Sequence, residues 1–463
     1  SRRFVVVICL VLCGSQQVPL PGHRGAQARA GDNTQPVAGL RTNTPAVYAL
    51  KDVRIVTAPG QVLEQGVLVV RDGVISAVGA NVPIPADARV WSRPGSTLYP
   101  GLIDGFSELE IAPDDRRQGP HHWNELIRPE VRVADRYQPK PTLNASWRSQ
   151  GITTRLIAPA QGIFKGRSAL VATGDATGAA SILEPDVALH ARLTVPRGRG
   201  RNAYPNSPMG AVALARQTML DANWYQQAWS VFRSQRGLPR PDQDLALDAL
   251  GAYSGSGKLV VIDAPNELYA LRADRFAREF SLNLVIRGSG REYRQLLAIQ
   301  ALGRPVIVPL NFPKPPNVGT AEAALNASLE SMRHWELAPE NPARLSRAGV
   351  SILLTRSGLP KAVSLLAAVR KAVQHGLAAD AALAALTTTP AKLFGVADRL
   401  GTLQAGKRAN FLRTDGALFA TQTKVLETWV DGRPYENIPA RNDPAGRWRL
   451  VGQQGKRPLL LDV

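Results

Sequence analysis

Cysteine is almost missing from this chain: of 463 residues only Cys9 and Cys13 are cysteine, both within the first thirteen. A chain cut after that region would hold none. Neither a disulfide framework nor a thiolate metal site would then be available, which suits an oxidising compartment. Long apolar runs are lacking too. The one pronounced run, residues 4–13 behind Arg2 and Arg3, is too short to span a bilayer as a helix. It fits the apolar core of a signal peptide, followed by small-x-small cleavage sites at Ala26-Gln27-Ala28 and Ala28-Arg29-Ala30. Residues 1–30 are therefore read as a signal peptide and the protein as exported, periplasmic or extracellular. A lipid anchor at Cys13 is the lesser alternative, because Leu12 stands where a small residue is needed.

Concentrated charge is also absent. The formal charge is +19, yet the densest basic runs are only residues 197–201 and the pair Arg344 and Arg347, with no interleaved aromatics. No nucleic-acid partner is expected. An envelope-surface binder of acidic polymers is supported by net charge alone. Phosphate-loop chemistry is missing as well. Residues 255–258 read GSGK but lack the first glycine spacing and the following Ser or Thr, so they are a turn into a strand. No Gly-x-Ser-x-Gly nucleophile elbow stands in a strand-to-helix context.

What is present is a globular composition, 44% hydrophobic and 20% charged, in a chain long enough for a large core with an accessory domain. Short alternating strands begin at residue 47, with Asp72-Gly73 as a hairpin turn, and strands return after residue 400 with Asp431-Gly432 as a second. Between them buried-strand candidates (TLYPGLID, GITTRLIAP, KLVVIDAP, LNLVIRG, PVIVPL, VSILLT) alternate with helical stretches around 211–224, 269–280 and 361–376. Repeated β-then-α order predicts an α/β fold, a TIM-like (β/α)8 barrel over 99–399. The flanking strands, 47–98 and 400–436, predict a small composite β-sandwich domain. Long irregular stretches at 111–137 and 195–208 are candidate lids. The tail, 437–463, reads as a hairpin that begins a further, truncated domain, and the first residue, Ser1, likewise hints at a fragment.

The ordered set GVLVVRDGVISAVG, YPGLIDGFSEL, HHWNELIRPE, GITTRLIAP, ALHARLTVPRGRG, SPMGAVALARQTMLDANWY, TTTPAKLFGVADRLGTLQAGKRANFL and LETWVDGRPY resembles the amidohydrolase superfamily, in particular exported imidazolonepropionase-like proteins. The resemblance covers about residues 47–434. It implies a hydrolase of C–N bonds in cyclic amides, ureas or related compounds, using zinc or another divalent metal held by His and Asp at strand C-termini. Here the chain departs from the pattern. The first-strand Asp-x-His-x-His reads Asp104-Gly105-Phe106-Ser107-Glu108, so Phe106 and Glu108 take the places of both histidines. The fifth-strand His falls near Asp263, the sixth near Arg287 or Gly288, and the last-strand Asp at Arg356.

Glu108 and Asp263 are hard oxygen donors, one short of the three ligands of a catalytic zinc site. An inward Arg356 would oppose a metal, since a unit charge at 4 Å is worth about 4 kcal/mol at an effective dielectric near 20. Arg356 is instead expected to neutralise Glu108 or Asp263, or all three face solvent. No cofactor is expected. The reading is a homologue with its metal ligands replaced, impaired or non-catalytic, acting beside an active amidohydrolase domain or paralogue. The alternative is an active hydrolase with a site rebuilt from Glu108, Asp263 and the loop histidines His121 and His122. His190 reads as structural, and His334 and His375 as helix-surface residues.

Overall fold

The computed structural model of the protein describes residues 47–109, 121–196, 203–360, 362–438, 447–450 and 459–462. The signal-peptide reading with Cys9 and Cys13, and the 197–201 basic run, lie outside the described residues.

The chain opens with β1 (Val47–Ala58), β2 (Gln61–Arg71), β3 (Val74–Gly79), β4 (Arg89–Ser92) and β5 (Thr97–Pro100). The α/β region follows with β6 (Leu102–Leu109), β7 (Ile152–Pro159), β8 (Phe164–Arg167), β9 (Ala169–Ala172), β10 (Ile182–Glu184), β11 (Leu189–Arg192), β12 (Leu259–Asp263), β13 (Asn283–Arg287), β14 (Val306–Pro309) and β15 (Ile352–Thr355). Three strands return to the first unit: β16 (Phe411–Thr414), β17 (Val425–Val430) and β18 (Arg433–Glu436). In the tail β19 (Arg447–Leu450) pairs antiparallel with β20 (Leu459–Asp462).

Both chain ends meet in one eight-stranded sheet, β18-β17-β16-β5-β1-β2-β3 with β4 also on β1. The ladders run on through the bulged β1. Tyr48, Trp91, Phe411 and Trp429 cluster at the centre of the sheet, Phe411 stacking on Trp429 at 4.9 Å and 17° from parallel while Tyr48 and Trp91 meet Trp429 edge-on. The two hairpins named from sequence form as positive-φ pairs, Asp72 with Gly73 and Asp431 with Gly432. They abut: a Cβ on Gly432 would stand 2.7 Å from Gly73 Cα, so the chain ends interlock only because both positions are glycine.

The α/β region carries parallel strands linked by helices. Six strands run β15-β14-β13-β12-β11-β8 and four run β10-β9-β7-β6. Pairing is parallel from β11 through β15 and between β6 and β7, while β8 is antiparallel to β11. The period-2 pattern sorts side chains to two faces. On one face Phe106, Leu156, Leu170, Val261, Val285, Ile307 and Leu353, drawn from both sheets, share a single apolar cluster. On the other, Val260, Ile262, Leu284, Ile286, Val306 and Leu354 pack against helices. At the β6–β15 seam the described links are side-chain bonds, Thr355 Oγ1 to the Phe106 carbonyl (2.6 Å) and to Asp104 Oδ1 (3.0 Å).

The helices expected around 211–224, 269–280 and 361–376 are Pro208–Ser234, Glu267–Glu279 and Leu365–Gln374, each with a side-chain N-cap, from Ser207, Asn266 and Ser364. GSGK is a turn, with Gly255 and Gly257 at positive φ. Among the described residues no helix is long and apolar enough to cross a membrane.

Candidate functional site

A cluster of charge gathers at the C-terminal ends of the parallel strands. Ladder register sets Arg192, Asp263 and Arg287 side by side on β11, β12 and β13. Asp263 is 4% exposed and Lys165, on β8, is fully buried. Lys165 Nζ lies 2.6 Å from Asp263 Oδ2 and 3.2 Å from Glu108 Oε1. Arg192 Nε closes on the same Asp263 oxygen at 3.2 Å. Burial alone would raise the Asp263 carboxyl, but the charges of Lys165, Arg287 and Arg192 outweigh it and hold the group down at about 2. Asp263 is thus a permanent carboxylate, with Oδ1 left unpartnered.

The sequence places Lys165 where it can do this through Gly166. That glycine sits at φ 122°, and a Cβ there would collide with the Val131 carbonyl, so the short strand can lie against the 128–131 segment only without a side chain.

Phe106 is fully buried at the foot of this cluster. The Arg287 guanidinium lies over its ring at 4.6 Å and donates from Nη2 to Ser357 Oγ at 2.7 Å. His190 faces Phe106 at 5.7 Å, is wholly buried, and has neither ring nitrogen bonded. Burial, reinforced by Lys165, drives its imidazole down to about 3, so it is neutral at any ordinary pH. Asp104 anchors the seam instead of a metal ligand set. Its carboxylate accepts from Ser107 Oγ (2.7 Å), Thr355 Oγ1 (3.0 Å) and the Arg356 backbone N–H (3.0 Å). Burial pushes this carboxyl up in spite of those bonds.

One expectation needs correction. The partners of Glu108 and Asp263 are Lys165 and Arg192, not Arg356, whose guanidinium lies 5.3 Å from the Trp147 ring centre. Strand-end counting cannot say which cation reaches a given carboxylate. Glu108 and Asp263 are brought together, and Arg287 joins Asp263 in the ladder. The loop histidines are not joined to them: His122 Nδ1 accepts from Asn124 N at 3.1 Å, and both ring nitrogens of His121 are buried without a bond among the described residues. No three His, Cys, Asp or Glu side chains converge as a metal site among the described residues. Lys165 and Arg192 carry no motif, so sequence reading passes over both. The one available hint is a lysine flanked by Phe164 and Gly166 in an otherwise apolar stretch. His334 stacks on Tyr293, whose hydroxyl is 3.1 Å from Nδ1, away from this site.

Comparison with known proteins fits the topology. A profile described as "Amidohydrolase family" matches residues 364–435, the last helices and the returning strands. The amidohydrolase tasK of Hapsidospora irregularis is 24% identical over 420 residues, 81% of this chain. These sequence matches support membership of the amidohydrolase superfamily. The chain spans only about two fifths, 40%, of the tasK length. The solved amidohydrolase from Thermotoga maritima MSB8 matches 84% of this chain and 100% of its own, at 20% identity and TM-score 0.68. A second amidohydrolase structure matches 85% of this chain and 100% of its own at 17% identity and TM-score 0.50. These two share the fold with this chain.

Proposed function

We propose that this chain is an exported amidohydrolase-superfamily domain that has given up metal-dependent hydrolysis of cyclic C–N bonds and serves as a binding or scaffold domain beside an active amidohydrolase domain. Its strands close into a (β/α)8 barrel in this reading. The observation that carries it is the Lys165 ammonium seated between Glu108 and Asp263. A divalent ion needs those carboxylates as ligands, and it would have to displace or neutralise a fully buried ammonium and then meet Arg192. Phe106 offers no donor at the first-strand position. The residues present therefore do not fit the metal the family implies.

A second reading keeps activity. The side chain of Glu108 is 31% exposed, so it remains reachable as a base, with Asp263 Oδ1 unpartnered beside it. One experiment separates the two. Purified mature protein is exchanged with zinc, manganese and iron and its metal measured by elemental mass spectrometry, alongside turnover of hydantoins, imidazolones and cyclic dipeptides. Metal far below one per chain with no turnover is expected. Near-stoichiometric metal, or turnover abolished by Glu108→Ala, would overturn the proposal in favour of the rebuilt site.

A further inference from the structure

We infer that the strand-end cluster is a receptor for a small organic monocarboxylate, held by Arg287 and Ser357. The cluster is over-supplied with positive charge. Lys165, Arg192 and Arg287 face Glu108 and Asp263, and the ion pairs account for only two of the three cations. Lys165 and Arg192 share Asp263 Oδ2 and turn to Glu108 at 3.2 and 3.9 Å. Arg287 is the one left over: among the described residues no carboxylate lies within ion-pairing distance of it. Its guanidinium is only partly exposed, its Nε is buried without an acceptor, and its one protein hydrogen bond goes to Ser357 Oγ.

Holding a partly buried guanidinium with Asp263 as its neighbour in the ladder but no carboxylate in direct contact among the described residues is unfavourable, and an apolar residue over Phe106 would pack with less cost. The charge is explained if a ligand completes it. Phe106 covers one face of the guanidinium, 4.6 Å away, which leaves its edge for recognition. A planar fork beside a hydroxyl suits a carboxylate, whose two oxygens can accept in parallel. Net charge argues for one negative charge and not two. Glu108, one-third exposed in the same cluster, repels a dianion such as phosphate more than a monoanion. This inference rests on the metal-free reading, because a divalent ion would alter the charge count.

The test titrates the full chain at pH 7 with sodium benzoate and follows Tm, with sodium chloride and sodium phosphate at matched ionic strength, and with metal content measured on the same sample. A saturable benzoate shift, absent with chloride and phosphate, is expected. Arg287→Met should weaken the apparent benzoate affinity at least tenfold, while Arg275→Met, an exposed arginine elsewhere, leaves it unchanged. If Arg287→Met fails to fold, Arg287→Lys keeps the charge, loses the fork and should still weaken binding several-fold. Wild-type response in the folded Arg287 variant, or equal shifts from chloride or phosphate, would overturn the inference while metal stays near zero. Stoichiometric metal, with benzoate binding lost on chelation, would instead sink the metal-free reading and the receptor with it. Metal present with Arg287-dependent binding retained after chelation would sink that reading alone.

Discussion

Lys165 Nζ and Asp263 Oδ2 lie 2.6 Å apart with side chains 0% and 4% exposed, an ion pair across β8 and β12 in the interior of the strand-end cluster. Each charge is tolerable there only because of the other. The consequences of separating them differ from those of removing both.

Lys165→Met should destabilise the protein by about 3–5 kcal/mol, because it strands the Asp263 carboxylate with Arg192 as its remaining close partner. The double variant Lys165→Met with Asp263→Leu should recover most of that loss, since an apolar pair replaces a buried ionic one. Urea unfolding midpoints measure both. A double variant as unstable as the single would show that packing, not charge, is what Lys165 supplies. Lys165→Met should also raise zinc uptake over wild type, since the competing ammonium is gone.

His190 makes stability fall with acid well above the range where carboxylates titrate. Its imidazole is held at about 3 in the fold, against an ordinary value of 6.5. Below pH 6.5 the unfolded chain takes up a proton the folded chain refuses, so stability is complete above that pH and is lost progressively down to about 3. Between pH 7 and 5 this group alone should remove about 2 kcal/mol. His190→Leu should flatten that part of the pH–stability curve. An unchanged slope in the variant would assign it to another group.

Gly432→Ala should cost more than Gly257→Ala, although both glycines have φ of 76°. At Gly257 a new Cβ meets nothing within 4 Å, leaving only the left-handed backbone penalty of roughly 1–2 kcal/mol. At Gly432 the same Cβ stands 2.7 Å from Gly73 Cα, so the two hairpins must part as well. Equal losses in chemical denaturation would mean the hairpin contact yields freely.

The repeated strand-helix order and the two Asp-Gly hairpins are local signals, set by turn chemistry and by the periods of helix and strand. Both were readable because each depends on neighbours a few residues away. That Phe106, Glu108, Asp263 and Arg287 lie on strands was readable too, since those strands are recognisable from pattern. Arg356 marks where this stops: pattern puts it at the end of β15, but its side chain lies over Trp147.

By itself, then, the sequence determined the longer parallel strands, the two Asp-Gly turns and the charges of Asp263 and Arg287 at strand ends. The tertiary structure decided which charges meet. Lys165 is separated from Asp263 by 98 positions and from Glu108 by 57, numbers that obey no helical or strand period. Only the close approach of β8 to the 128–131 segment, permitted by Gly166, delivers its ammonium to both carboxylates. Local patterns cannot encode such a meeting, because it depends on how distant strands pack into one layer.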